Sequence, residues 1–362
     1  QICFRESPTF QRKLKLETVA GEVLDVTVPR FHEPERLITA VTFTTDYRRM
    51  YVQYRSAMPL KRLWLSNREV KAFEILKSPE LRTPDMAAFR APFRIREGMP
   101  LHVRAQFEDG TERHALLRAL SGIRLDTPPD ASPSGRQARK LGLDTDSDVI
   151  MIPYDVTCDD ARKGVGSSSR AVVPARLRDY RKYPDHLASI GYCTAVYEQM
   201  WNIYGQISDA VYAKPYSMGW GVNSRRFIEE EEDSIEKART TAAPRPFFWI
   251  PQRIGTKEGR FLEPEELKML AWVSLIRGSK GIRYNFWRNP EKDPFVNFQG
   301  IPDAMTELNR QIRTGADVLS PLALVSEKTI GNDKEGWFKQ YTAWAGDKGL
   351  LVLLRNLDYS TD

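Results

Sequence analysis

Along the first 118 residues, apolar and polar positions alternate in short runs. The alternation is clearest at 13–17, 23–28, 37–44, 50–54, 101–107 and 114–117, with a shorter run at 63–65. A period of two is the signature of strands with one buried face. Asp109-Gly110 lies between two of these runs. A tight hairpin turn needs positive φ, which Gly supplies without a steric cost, so this dipeptide predicts a hairpin. Several short strands joined by turn residues predict a β-sandwich over residues 1–118.

From about residue 120 the pattern changes. Short apolar runs at 122–126, 149–154, 187–193, 207–213, 247–250 and 282–287 are separated by segments of helical spacing at 136–141, 170–182, 196–204, 227–240 and 264–276. Strands alternating with helices imply a parallel sheet. The clearest unit runs from Phe247 to Trp287. Pro264 suits a first helical turn, Glu265 and Glu266 complement the positive end of the helix dipole, and Arg277-Gly278 ends the helix. Beyond residue 319, runs at 323–325, 337–344 and 350–355 return to strand character. Turns at Gly331-Asn332-Asp333 and Gly346-Asp347-Lys348-Gly349 separate them. They predict the start of a second β-sandwich over 319–362. The chain opens on Gln1 and stops just after a strand, which suggests an excised or processed piece of a longer protein.

Composition narrows the function classes. Charged residues make up 28% and hydrophobic residues 41% of the 362-residue chain, ordinary values for a globular protein. No apolar run is long enough to span a bilayer. The net charge of +6 comes from Lys and Arg interleaved with Asp and Glu. That describes a solvated basic surface, since a nucleic-acid footprint would show clustering. Cys3, Cys158 and Cys193 lack C-x-x-C spacing, and the four histidines form no H-x-x-x-H, so no metal site is expected. Cys158 and Cys193 both fall at strand ends. Two free buried thiols are the favoured reading, with a disulfide as the alternative. Gly164 to Ser169 lacks the Gly-Lys-Ser/Thr of a phosphate loop, so no nucleotide or other cofactor is expected.

Trp249-Ile250-Pro251-Gln252, then Pro264-Glu265-Glu266-Leu267, Ala271-Trp272, Gly278 and Gly281 resemble the last two strand units of bacterial (β/α)8-barrel glycoside hydrolases. The resemblance covers roughly residues 121–318. It implies a TIM-type barrel over 119–318 between the N-terminal sandwich and the C-terminal sandwich segment. The count of about six strands, short of a full ring of eight, leaves either a reduced barrel or an open doubly wound sheet, and the resemblance favours the barrel. It also implies a carbohydrate substrate or ligand and a secreted, periplasmic or cell-surface location. Barrel chemistry lies at the carboxyl ends of the strands. Glycoside hydrolysis there needs two carboxyl groups across the scissile bond. By resemblance Asp160, in the pair Asp159-Asp160, is the general acid. The position of the usual nucleophile holds Gln252, which cannot form a glycosyl-enzyme. Asp155 or Glu198 would then serve as base in an inverting mechanism. Asp159, Tyr216, Trp220, Gln252, Tyr284 and Trp287 complete the strand-end set as substrate-binding residues, because sugars need planar polar partners and aromatic faces.

The short barrel and Gln252 also fit a second reading. In it the same architecture is catalytically inactive and serves carbohydrate binding or assembly at a cell surface, with homo-oligomers as one form. Asp155, Asp159 and Asp160 would then cap the following segment or pair with Arg162.

Overall fold

The computed structural model describes residues 12–17, 23–28, 37–77, 84–126, 140–144, 152–156, 178, 181–182, 187–192, 208–213, 224–251, 262–284, 300–332 and 336–357. The first elements are β1 (Arg12–Glu17) and β2 (Val23–Val28), an antiparallel pair. They are followed by β3 (Leu37–Phe43), β4 (Arg49–Arg55), β5 (Leu60–Leu65), β6 (Arg68–Glu69), β7 (Glu74–Leu76), β8 (Asp85–Arg90), β9 (Pro100–Phe107) and β10 (Glu112–Arg118). These eight strands make two antiparallel sheets, ordered β3-β4-β8-β7 and β10-β9-β5-β6. Phe43, Met50, Val52, Leu63, Val103 and Phe107 fill the space between them. β9 alternates strictly between buried and half-buried positions after Pro100, as a strand with one solvated face should. Gly110, at φ +82°, closes the β9–β10 hairpin at the expected Asp-Gly turn.

β4 does not alternate. Its five central residues are all buried, because its second face is covered by another sheet. That sheet comprises β17 (Leu322–Asn332), β18 (Gly336–Ala345) and β19 (Leu350–Asn356). Tyr51, Met86 and Ala88 pack on Ala323 and Trp344. Polar stitches seal the contact. Gln53 Nε2 donates to the Leu324 carbonyl at 2.8 Å, Thr42 Oγ1 to the Pro321 carbonyl at 3.0 Å, and Ser320 Oγ to the Phe43 carbonyl at 2.7 Å.

The parallel strands are β11 (Arg124–Asp126), β12 (Ile152–Val156), β13 (Ala188–Tyr192), β14 (Ala210–Ala213), β15 (Phe247–Trp249) and β16 (Gly281–Arg283). They form one sheet in the order β11-β16-β15-β14-β13-β12. This corrects the TIM-type barrel. Among the described residues the sheet is open: β11 and β12, successive among the described strands, stand at its opposite edges. The remaining sheets are antiparallel. Strand–helix alternation fixes parallel pairing, but closure needs a full ring of mutually consistent strands. Among the described residues there are six, each three to five residues long.

Three longer helices cover one face of this sheet: α1 (Ser224–Ala242), α2 (Pro264–Ile276) and α3 (Ile301–Thr314). α2 starts at a capping box in which Glu266 Oε2 accepts the Glu263 backbone N–H at 3.0 Å. Leu267, Leu270, Ala271, Val273, Leu275 and Ile276 bury almost its whole circumference, as befits a helix enclosed on all sides. On one side lie α1, α3 and β15; on the other lie Tyr341, Ala343 and Ala345 of β18. The part of the three-stranded sheet around Ala323, Tyr341 and Trp344 therefore lies between α2 and β4, while Leu350, Val352 and Leu354 of β19 are exposed.

Charged groups fasten α1 to this sheet. The buried Arg277 guanidinium donates to Glu327 Oε2 at 2.7 Å and to the Glu232 carbonyl at 2.7 Å. Lys339 Nζ meets Glu232 at 3.0 Å, and Arg355 also contacts Glu232.

Candidate functional site

Residue parity divides the parallel sheet into two different surfaces. Leu125, Val211, Ala213, Phe247, Trp249 and Ile282 face the helices and join the aliphatic core. The alternate residues Tyr212, Phe248 and Ile250 belong to a separate cluster with Leu120 and Leu187. Gly281 lies on this second surface. A Cβ there would stand 2.6 Å from the Phe248 ring, so the close approach of Phe248 requires glycine.

At the carboxyl ends of two adjacent strands this second surface carries a buried ion pair. Asp126 ends β11, Arg283 ends β16, and the two are register partners. Arg283 donates from Nε to Asp126 Oδ1 at 3.2 Å and from Nη2 to Oδ2 at 3.1 Å. Both residues are at most 5% exposed. The guanidinium lies 4.7 Å from the centre of the Tyr212 ring, and Tyr212 stacks on Phe248 at 4.9 Å. Burial pushes the Asp126 carboxyl above its ordinary value, against the pull of the adjacent guanidinium. Burial likewise pushes the Tyr212 phenol well up. Two residues earlier on β11, the less buried Arg124 pairs with Glu97.

Of the catalytic residues expected from the sequence, Asp155 lies on β12. Its register partner is Gly191, which pairs with Tyr212, which pairs with Phe248. Asp155 thus shares a row with the aromatic floor under Arg283. Asp159, Asp160, Glu198, Tyr216, Trp220, Gln252 and Trp287 lie outside the described residues. Tyr284 follows β16 on the helix side and is 1% exposed. Its hydroxyl donates to Asn309 Oδ1 at 2.9 Å, and Asn309 Nδ2 donates to the Leu141 carbonyl at 2.7 Å. The Tyr284 backbone N–H donates to the Asp126 carbonyl at 2.8 Å, but its side chain stands on the opposite face of the sheet from the Asp126–Arg283 pair.

Trp249, also on the helix side, donates from Nε1 to Glu231 Oε2 at 3.0 Å. Glu231 is fully buried, and its Oε1 has no hydrogen-bond partner. Burial pushes its carboxyl up to about 8, opposed by the Trp249 hydrogen bond.

Asp126, Arg283 and Glu231 were not singled out from the sequence. The available signal was a lone charge inside an apolar strand, as in Gly281-Ile282-Arg283-Tyr284, or at a strand end before Pro128-Pro129. Such charges are rarely buried unless paired. Among the described residues no group of three or more His, Cys, Asp or Glu side chains is arranged to hold a metal. No described helix is long and apolar enough to cross a membrane.

No family model matches the sequence, and a comparison with curated proteins finds no match. Among solved structures, an FMN-binding beta-glucuronidase from Facaelibacterium prausnitzii aligns at 7% identity with a TM-score of 0.31, over 90% of this chain and 70% of that one. A pyruvate kinase from Cryptosporidium parvum aligns at 10% identity with a TM-score of 0.28, over 78% of this chain and 47% of that one. A carbohydrate acetylesterase from Xanthomonas citri aligns at 11% identity with a TM-score of 0.26, over 86% and 81%. Superpositions at this level do not establish a common fold, and they assign the chain to no family.

Proposed function

We propose that the protein is a glycoside hydrolase-like protein that takes a poly- or oligosaccharide at the carboxyl rim of its parallel sheet. The observation that supports this is the Asp126–Arg283 pair, held over the Tyr212 ring in a sheet whose register carries Asp155 in the same row as Tyr212. Planar polar groups beside aromatic faces are what sugar hydroxyls and C–H faces require. In open parallel sheets ligands bind outside the carboxyl ends of the strands. Asp160 is the general acid of this reading, and Asp155 or Glu198 the base that activates water for an inverting displacement.

Recognition without cleavage is the second reading. Two observations favour it: Asp126, the buried carboxylate described at this rim, already has both oxygens engaged by Arg283, and Gln252 stands where a nucleophile is expected.

A panel of polysaccharides and aryl glycosides, tested with the parent, Asp160→Asn and Asp155→Asn, separates the two. Hydrolysis by the parent that falls by about 10²-fold or more in Asp160→Asn establishes cleavage. Calorimetric binding without hydrolysis establishes recognition alone. The absence of both hydrolysis and binding overturns the proposal.

A further inference from the structure

The amino end of the parallel sheet carries a second feature, independent of the carboxyl rim. Lys280 precedes β16 and is 4% exposed. Its Nζ donates to the Ser320 carbonyl at 2.7 Å and the Leu322 carbonyl at 3.3 Å. An ammonium has three protons, and these two carbonyls engage two of them. Neither carbonyl carries a charge that would neutralise the lysine. Among the described residues no carboxylate stands within ion-pair distance of Nζ. The site is therefore unlike every other buried cation described above. Arg283 has Asp126, and Arg277 has Glu327.

Lys280 lines a partly open cavity of about 40 Å³, where β3 and β4, the three-stranded sheet and the parallel sheet meet. Arg118, Arg239, Arg245 and Arg277 also line it, and among the described residues its wall contains no Asp or Glu. The arginines are anchored by groups off the wall: Arg118 by Asp209 at 3.6 Å, Arg239 by Glu236, Arg245 by the Ser208 carbonyl at 2.8 Å, and Arg277 by Glu327. They still give the cavity a positive field, to which Lys280 adds a cation with no carboxylate partner among the described residues. Charges withdrawn from water are ordinarily paired. A space of this volume holds a few waters or one halide-sized ion, since one water needs roughly 10–15 Å³. Water would engage the third proton without balancing the charge; an anion does both.

We propose that this junction cavity binds a small inorganic anion of halide size against Lys280. The ion would bridge the parallel sheet to the antiparallel layers packed around it, and so hold their mutual placement.

The test compares thermal unfolding in sodium chloride and in sodium gluconate at equal ionic strength, for the parent and for Lys280→Met. Chloride is expected to raise the parent midpoint saturably, by about 2–4 °C, while Lys280→Met shows no chloride-specific rise. A rise of equal size in both proteins, or in neither, overturns the proposal. A measurement on the parent alone covers the case in which the variant does not fold. In crystals grown in sodium bromide, an anomalous scatterer is expected within hydrogen-bond distance of Lys280 Nζ. Bromide found only at surface sites overturns the proposal equally.

Discussion

At the carboxyl end of β16, Arg283 meets a carboxylate that matches it with two hydrogen bonds; just before the amino end of the same strand, Lys280 meets only carbonyl oxygens. Both cations are at most 4% exposed. The difference lies in what each would do if left alone. Arg keeps its proton at any accessible pH, so a buried Arg must be answered by an anion from the fold itself. Lys can shed its proton, and burial brings Lys280 down to about 7. The Asp126–Arg283 pair is therefore electrostatically self-contained. The amino end remains open to a counter-ion or to titration.

The largest effect is expected from breaking the self-contained pair. Asp126→Ala leaves Arg283 buried without its carboxylate and should cost about 3–5 kcal/mol in urea unfolding. Asp126→Leu combined with Arg283→Met removes both charges and should recover most of that loss. If the double variant is as unstable as the single one, packing rather than charge governs the site.

Titration sharpens the contrast next. Glu231 is raised from 4.5 to about 8, so the native state holds an extra proton between those values. Its contribution to stability falls as pH rises from about 4.5 to about 8. Lys280 is lowered from 10.5 to about 7, so the native state holds fewer protons in that window. Its contribution rises with pH from about 7 to about 10.5. Each limb is worth on the order of 5 kcal/mol, and together they place a stability minimum between about pH 7 and 8. Urea midpoints measured in gluconate from about pH 5 to 10 should show it. Glu231→Gln, which keeps an acceptor for Trp249, should flatten the acid limb, and Lys280→Met the alkaline limb.

The smallest effect concerns Tyr284. Tyr284→Phe removes the hydrogen bond to Asn309 and should lower stability by about 1 kcal/mol. Calorimetric affinity for a carbohydrate ligand should stay unchanged, because the ring lies on the helix side of the sheet. A loss of affinity at unchanged stability would move Tyr284 to the rim.

Local signals in the sequence translated well where they were strong. Pro264 and Glu266 mark the start of α2, Asp109-Gly110 the hairpin, and apolar runs all six of the described parallel strands. α3 was missed, although Ile301, Met305, Leu308 and Ile312 recur at helical spacing. Pro302 and the interleaved polar residues broke the apparent run. β8 was missed because Ala87 and Ala88 carry little apolar signal of their own. Sheet closure was misjudged because it depends on pairing between strands, and each strand reports only its own burial. Parity would have corrected Tyr284. It sits two residues from Ile282, which faces the helices, so both point the same way. Asp126 and Arg283 are far apart in the chain, and their match becomes visible only in the register of β11 with β16.

The position of the three-stranded sheet against β4 also sets a timetable for synthesis. Thr42 waits for Pro321, 279 residues downstream, and Tyr51 and Met86 wait for Trp344. At 5–20 residues per second a ribosome needs roughly 15–55 s to deliver that partner. Over that interval the outer face of β4 and β8 is an apolar surface without its cover, and it is there that a nascent chain of this protein would engage a chaperone.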